Sequence, residues 1–161
     1  PGVRGSSPCA ATFMSLKDKI FLKLYCFFKL PIIAYCRPKI LMSDCDIVEI
    51  VIPLKRRTKN HLNSMYFGAL SVGADFSGGL LVMNILKKNK SKAKLVFKDF
   101  KANFIKRATS DVTFVCKTSK VIQDSVIENS SNKIRVNFEI YVQAFCAGDL
   151  VADFYLTTSI K

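Results

Sequence analysis

The longest apolar stretch of the chain runs from Phe67 to Leu86 and contains a single ionisable residue, Asp75. Its hydrophobic positions surround the whole circumference of a helix, whereas those of a surface helix would form one stripe. We therefore predict a long helix that is buried on nearly all sides and carries one carboxylate. Glycines weaken a helix, so we expect the surrounding sheet to approach closely at all four in this stretch: Gly68, Gly73, Gly78 and Gly79.

Short β-branched runs on both sides of this stretch predict the strands of a sheet. Two of them precede the helix as a hairpin, Lys39–Ser43 and Asp46–Leu54. Four follow it, at 95–106, 111–118, 133–144 and 150–160. The polar segment 120–132 is interpreted as a long, turn-rich connection. Because a helix that is apolar all round needs a sheet wrapped about it, the pattern predicts an α+β fold, a curled antiparallel sheet around one long central helix.

The N-terminal segment from Ser15 to Cys36 is both basic and apolar. Its lysines interrupt every apolar run well short of the ~20 residues that a membrane span needs. We expect an extra helix that is capped by Ser15, kinked or stopped near Pro31, and packed on the domain. A helix lying in a membrane interface is the less favoured alternative. Residues 1–13 show no periodicity and are interpreted as a tag remnant or disordered leader, which leaves 14–161 as a single domain.

The composition of the chain is strongly basic. The 161 residues include 25 Lys and Arg against 12 Asp and Glu, a formal net charge of +13. Such a charge attracts anions, namely phosphate-bearing ligands, acidic carrier proteins, anionic membranes or nucleic acid. The six cysteines form no CxxC pair and no metal-like spacing with the only histidine, His61. We therefore expect reduced thiols in a cytoplasmic protein, without a zinc site or a disulfide scaffold.

Asp75 is the strongest candidate for chemistry. A carboxylate on a buried helix loses hydration, which raises its pKa and makes it a better base near neutral pH. The first N–H groups of the same helix, around Phe67 and Gly68, have no intrahelical acceptor and could bind a developing oxyanion. No P-loop and no recognisable Ser–His–Asp motif accompanies them in the sequence.

The segment just before the helix, Asn60-His-Leu-Asn-Ser-Met-Tyr-Phe-Gly68, carries a family resemblance. It resembles the hotdog-fold thioesterases, and more specifically an uncharacterised bacterial branch (DUF4442-like) with the pattern NHLxSMYFGAL. In the phenylacetyl-CoA-type thioesterases the matching segment reads N…HGG…D. Asn60 falls on the asparagine of that pattern, Tyr66 on its histidine, Phe67 and Gly68 on its two glycines, and Asp75 on its acid.

This resemblance extends from about Ile20 to the C-terminus and implies a hotdog fold that hydrolyses acyl-CoA or acyl-carrier-protein thioesters. Asp75 would activate the water, and Asn60 would orient that water or polarise the carbonyl. The resemblance also implies a homodimer, or a tetramer, in which Asp75 and Asn60 of one site come from different subunits. Coenzyme A enters as part of the substrate, and neither another cofactor nor a metal is expected.

Two positions depart from the family pattern, and both lie at the start of the helix. The hydroxyl of Tyr66 replaces the histidine as a donor, although a packed core tyrosine explains this residue equally well. Phe67 replaces a glycine and narrows the acyl entrance. The basic loop Lys55–Lys59, together with the cluster Lys87–Lys94, is a candidate for holding the coenzyme A phosphates, although such clusters are usually solvated. The remaining candidate contacts to substrate are His61, Ser64, Met65, Lys55, Arg56 and Arg57.

Three functional hypotheses follow from these residues. An acyl-thioester hydrolase with Asp75 as base is the leading one. A non-catalytic hotdog protein that binds an acyl chain or lipid is the first alternative, because Tyr66 and Phe67 alter the family pattern. A nucleic-acid or anionic-membrane binder ranks last, because the sequence contains no helix-turn-helix, no RNP-like aromatic pair and no zinc finger.

Overall fold

A computed structural model describes residues 16–161, with side chains from Ile20 onward except that of Lys23. The leader predicted at 1–13 and the predicted cap at Ser15 lie outside these residues. The helices are α1 (Leu16–Lys29), α2 (Pro31–Cys36), α3 (Phe67–Lys88) and α4 (Lys120–Asn132). The strands are β1 (Lys39–Ser43), β2 (Ile47–Ile52), β3 (Leu95–Phe104), β4 (Val112–Lys117), β5 (Val136–Cys146) and β6 (Asp149–Ile160).

The strands form one antiparallel sheet in the order β1-β2-β4-β5-β6-β3. Its longest ladder joins β5 to β6, from the pair Val136–Ile160 to the pair Cys146–Asp149. β1 and β3 are the two edge strands, and β3 pairs along its length with β6 alone. The predicted α+β architecture, a curled antiparallel sheet with one long central helix, is confirmed.

The inner face of this sheet surrounds α3. Alternate residues of β2, β4 and β5 are buried, as period-2 strands with one face on a core require. Among the described residues, α3 is the one helix long and apolar enough to cross a membrane, yet most of it is buried inside the protein, so it is a core helix. The largest fully buried side chains around it include Phe114, Phe154, Ile50, Ile52, Ile140 and Leu156.

Gly73 is the point at which α3 and the sheet approach most closely. A Cβ atom there would lie 2.3 Å from the ring of Phe114, which is fully buried. The predicted close approach is therefore confirmed at Gly73, through the side chain of Phe114, but it is wrong for the other three glycines. A Cβ atom at Gly78 would meet the side chains of Ile140 and Val142 at ordinary van der Waals distances. Gly68 lies under the ring of Tyr66, a residue of the preceding loop, and Gly79 has ordinary van der Waals space.

Gly73→Ala should lower the free energy of unfolding by about 1–3 kcal/mol, because the added methyl group forces the Phe114 ring to move in a packed core. Gly79→Ala is the matched control on the same helix. It should be neutral or stabilising by up to about 1 kcal/mol, since space is present and alanine favours the helix. Urea unfolding of both variants measures the difference, and equal effects would contradict the packing explanation.

The N-terminal helical segment divides at Pro31, as predicted. α1 ends at Lys29, and Pro31 occupies the first turn of α2, where its missing N–H costs no helical hydrogen bond. α2 ends at Cys36, its C-cap residue Arg37 has a left-handed φ of 52°, and the chain then enters β1. α2 packs on α3, so the extra helix rests on the domain as expected.

The segment 120–132 is a helix, α4, and its interpretation as a turn-rich connection is wrong. Ser119 caps it by accepting a hydrogen bond from the N–H of Ile122 at 3.3 Å. The residues it buries, Ile122, Ser125, Val126 and Asn129, follow the helical spacing of three and four. Only two of them are hydrophobic. The helical spacing was therefore not recognisable in a segment rich in Ser and Asn.

Four cysteines, Cys26, Cys36, Cys116 and Cys146, are buried thiols. Burial raises the pKa of Cys116 to about 12. This thiol therefore stays protonated at neutral pH and acts as a small apolar side chain in the core.

Candidate active site

Asp75 borders an open cleft between the middle of α3 and the β3 side of the sheet. The cleft has a volume of about 280 Å³. Ser71 and Val72 lie four and three residues before Asp75, so helical geometry places all three on one face of α3. Asp75 is the only ionisable residue among those that line the cleft, which are Ser71, Val72, Asp75, Phe97, Phe100 and Leu156.

The carboxylate of Asp75 is partly buried and unpartnered. It forms no ion pair and no hydrogen bond with any residue of the described chain, 16–161. Burial raises the pKa of Asp75 above its ordinary value, because the charged form loses hydration and no cation compensates. A carboxylate in this state can accept a proton from a water molecule in the cleft.

The raised pKa makes stability depend on pH with a definite sign. The folded protein binds the Asp75 proton more tightly than the unfolded chain, so this group's contribution is lost as pH rises through its folded-state pKa. Asp75→Asn removes that dependence. The stability of the variant relative to wild type should therefore increase as the pH rises above about 4, the ordinary pKa of aspartate, as urea titrations at several pH values would measure. A difference independent of pH would contradict the assigned shift.

The N-terminus of α3 presents two unused backbone donors. Tyr66 is the N-cap residue but supplies no side-chain cap. Its carbonyl oxygen accepts from the N–H groups of Ala69 and Leu70 at 2.9 and 3.1 Å. The N–H groups of Phe67 and Gly68 have no acceptor within residues 16–161. They are the donors expected at a helix N-terminus, where the helix dipole also favours negative charge.

Asp75 and these amides do not converge within one chain. Seven and eight residues separate Asp75 from Gly68 and Phe67, which corresponds to about 10–12 Å along the helix axis. A reacting thioester requires the base and the oxyanion donors within about 3 Å of the same group of atoms. Within one chain, Asp75 and these amides are therefore too far apart to act on the same thioester.

The loop before α3 is organised around Asn60. The Oδ1 atom of Asn60 accepts hydrogen bonds from the N–H of Leu62 at 2.9 Å and from the N–H and hydroxyl of Ser64 at 3.2 Å. These bonds close a tight turn and leave the Nδ2 atom without an acceptor among residues 16–161. The Oδ1 atom of Asn60 therefore stabilises the loop, and its Nδ2 group remains able to donate a hydrogen bond to another molecule.

The other candidates in this loop divide into buried and exposed residues. Ser64 and Met65 are buried, and the N–H of Met65 donates to the carbonyl oxygen of Ala108 at 2.8 Å. Both residues therefore support the loop and are absent from the cleft beside Asp75. His61 is exposed on the turn between them and Asn60.

Tyr66 and Phe67 are exposed aromatic residues at the start of α3. Their ring centroids lie 4.6 Å apart, and Phe67 also contacts Phe104 edge-on at 6.4 Å. The Phe104 ring meets Phe154 at 6.1 Å, and Phe154 meets Phe100 at 5.7 Å. A continuous row of rings therefore leads from the helix N-terminus along β3 to the cleft.

The predicted phosphate-binding residues lie in two places. Lys55 and Arg56 are exposed in the loop after β2. Arg57 turns toward α2, where its guanidinium donates to the carbonyl oxygen of Tyr35 at 3.3 Å. The cluster Lys87–Lys94 begins at the C-terminal end of α3, about 30 Å from the free amides.

The sequence reasoning missed the apolar walls of the cleft. Val72 could have been found, because it lies three residues before Asp75 on the same helical face. The sequence could not identify the other apolar walls, Phe97, Phe100 and Leu156, because their position depends on how β3 and β6 lie against α3. β3 alternates only partly, so its pattern does not say which face carries these rings.

Comparison with known families and structures agrees with this fold. Residues 17–159 match the model of a family described as a domain of unknown function, DUF4442. No curated protein sequence matches the chain.

Solved structures of similar fold include three described as thioesterases. The "putative thioesterase from Shewanella oneidensis" has 16% identity and a TM-score of 0.77, and the match covers 87% of this chain and 94% of that one. A "probable thioesterase" of unknown function from Pseudomonas aeruginosa has 17% identity and a TM-score of 0.72, over 88% and 95%. A thioesterase from Haemophilus influenzae has 16% identity and a TM-score of 0.69, over 94% and 93%. The chain therefore belongs to the DUF4442 family, and its architecture is the hotdog fold.

Proposed function

We propose that this protein hydrolyses acyl thioesters of coenzyme A or acyl-carrier protein, with Asp75 as the general base. The observation that carries the proposal is the unpartnered carboxylate of Asp75 in an apolar cleft, on a helix whose N-terminal amides are free. A structural acid in such a position would be expected to have an ion-pair partner, because a buried charge without one is costly.

The chemistry requires one proton relay and one oxyanion site. Asp75 takes a proton from water as the water oxygen bonds to the thioester carbonyl carbon. The N–H groups of Phe67 and Gly68 stabilise the resulting oxyanion. When the C–S bond breaks, the proton held by Asp75 passes to the thiolate, and the products are a carboxylic acid and a free thiol.

A homodimer completes the proposed site. Asp75 and the free amides of one chain are about 10–12 Å apart, so a second copy must bring its own amides and Asn60 to the first copy's Asp75. The free edge of β3 supports this assembly, because a long edge strand with exposed apolar residues favours pairing with another chain. The exposed residues along it are Val96, Phe100, Phe104 and Ile105.

The proposed substrate has an apolar acyl group and a phosphate-bearing carrier. The cleft walls and the row of rings along β3 suit an aliphatic or aromatic acyl chain. Lys55 and Arg56, which have no ion-pair partner within residues 16–161, would contact the coenzyme A phosphates. His61, exposed in the neighbouring loop, would contact the same end of the substrate. Carriers of this type occur in the cytoplasm, where we expect the protein to act.

A panel of acyl-CoA thioesters tests the proposal directly. The purified full-length protein is incubated with short, medium, long and aromatic acyl-CoAs, and the released thiol is measured with a chromogenic disulfide. We expect turnover that saturates with at least one member of the panel. Absence of thiol release with every acyl-CoA and with an acyl-carrier-protein thioester would exclude the hydrolase.

Tyr66 and Phe67 favour one alternative, a non-catalytic protein that binds acyl chains. Their rings lie together at the start of α3, where the thioesterase pattern has histidine and glycine, and in such a binding protein they would restrict access to the free amides. The same panel separates the two functions. Tight binding of an acyl ligand without release of thiol, together with a fatty acid that co-purifies, would favour the binder.

A further inference from the structure

The two N-terminal helices expose an apolar surface that the domain does not cover. α1 packs on the core through Cys26 and, in part, Leu22. The rest of its apolar circumference faces solvent, and the side chains of Phe21 and Phe28 are 70% and 73% exposed. We define the N-terminal surface as these exposed residues of α1, α2 and the residue between them: Ile20, Phe21, Leu24, Tyr25, Phe27, Phe28, Leu30, Ile32 and Tyr35.

Helical geometry makes the α1 part of this surface continuous. Ile20, Leu24 and Phe28 are spaced four residues apart, and Phe21 and Tyr25 lie beside them on the adjacent row. An amphipathic helix normally packs its wide apolar side on the core. In α1 the side that packs on the core is the narrow one, with Cys26 and Leu22, and the wide apolar side is exposed. A contiguous exposed apolar surface of this kind marks a site of interaction with a membrane or another protein.

Cations border this surface. Lys29 ends α1, Arg37 caps α2, and Lys39 begins β1. The guanidinium of Arg57 lies over the ring of Tyr35, 5.5 Å from its centroid. None of these four forms an ion pair, since the one ion pair found within residues 16–161 joins Lys106 to Asp149.

We propose that the N-terminal surface docks on an anionic phospholipid bilayer. Phenylalanine and aliphatic side chains would enter the acyl region, tyrosines would remain at the boundary, and the cations would contact lipid phosphates. This inference goes beyond the proposed hydrolase and does not depend on it. It would hold the protein at the membrane as a peripheral protein, because α1 is too short and too charged to span a bilayer.

Charge and position distinguish a bilayer from a second copy of the chain. A two-fold dimer through this surface would bring the bordering cations of both copies together at one interface, and none of these cations has an ion-pair partner among the described residues. The N-terminal surface also leads into β1, at the opposite edge of the sheet from β3. Membrane binding therefore leaves the β3 edge free for the proposed dimer.

Vesicle flotation tests the proposal with the full-length protein. Wild type should float with phosphatidylcholine vesicles that contain about one-third phosphatidylglycerol, less with pure phosphatidylcholine, and less as salt increases. The double variant Phe21→Ser/Phe28→Ser should bind the anionic vesicles at least about tenfold more weakly, because two large apolar groups no longer enter the lipid. Val121→Ser/Ile127→Ser, on the exposed face of α4, is the matched control and should bind like wild type.

Fluorescence adds a test that does not depend on losing affinity. The chain contains no tryptophan, so Phe28→Trp introduces a single reporter, with Ile127→Trp as its control. Anionic vesicles should shift the emission of the first variant to shorter wavelength and leave that of the second unchanged. The proposal is overturned if wild type binds neither vesicle, or if the double variant binds as well as wild type. If wild type binds no vesicle and the double variant has a different oligomeric state from wild type, measured by sedimentation, then the surface is a contact between copies of the chain and the proposal is overturned.

Discussion

Asp75→Asn should lower kcat for acyl-CoA hydrolysis by about 10²–10⁴-fold, the range that general-base catalysis usually contributes. Asparagine has nearly the same shape and fills the same position in the cleft, but it cannot take a proton from water. The substrate remains bound by the apolar walls, so KM should change much less than kcat. Steady-state measurement of thiol release with the best substrate of the panel gives both parameters.

Two comparisons separate this effect from general damage. Asp124→Asn, an exposed acid on α4, should retain wild-type activity. The rate of wild type should rise with pH through a pKa above that of an ordinary aspartate, because only the deprotonated Asp75 accepts the proton. Wild-type kcat in Asp75→Asn would exclude Asp75 as the base.

Phe67→Pro should lower kcat by about 10²–10³-fold through the loss of one N–H donor to the oxyanion. Proline suits the first position of a helix, and Tyr66, with φ of −66° and ψ of 137°, has the extended conformation that a residue before proline prefers. Phe67 is 58% exposed, so the fold does not depend on its ring. Phe67→Ala removes the same ring but keeps the N–H, so comparison of the two variants isolates the backbone donor.

Equal activity of Phe67→Pro and Phe67→Ala would contradict a role for this amide. If both Phe67→Pro and Asp75→Asn are inactive, a mixture of them tests whether the site spans two chains. Random reassembly makes half of the dimers mixed, and each mixed dimer has one intact site. Activity should then return to about a quarter of wild type, whereas sites contained within one chain would show no recovery.

The hydrophobic pattern was sufficient to predict the centre of this fold. α3 is apolar on all sides, and such a helix must be buried on all sides, which a sheet curled around it provides. The strands of that sheet bury alternate residues, a period that a sequence displays directly. Pro31 also marked the end of α1 correctly, because proline cannot continue a helix without losing a hydrogen bond.

The helix α4 was not predicted because half of the residues that it buries are polar. Its buried stripe includes two polar residues, Ser125 and Asn129, and the side chain of Asn129 finds hydrogen-bond acceptors once the helix has docked. The Nδ2 atom of Asn129, for example, donates to the carbonyl oxygen of Ile134 at 2.6 Å and to that of Ile160, a distant residue on β6, at 3.4 Å. A polar residue that becomes buried through a distant partner cannot be recognised from local pattern.

The sequence by itself determined which residues carry the candidate chemistry. Asp75 was identifiable because it is the one ionisable group in a long apolar helix, and the free amides follow from where that helix begins. Both are local properties, since helix geometry alone leaves the first N–H groups without acceptors.

Only the tertiary structure decided what surrounds those residues. Phe97, Phe100 and Leu156 reach the cleft through the packing of β3 and β6 against α3, and Asn60 proved to organise its own loop. The direction of α1 was also decided there, because both of its sides are apolar and only docking selects Cys26 for the core and Phe28 for the exterior. Burial is a property of contacts between distant segments, so a sequence can show that a side chain is apolar without showing what covers it.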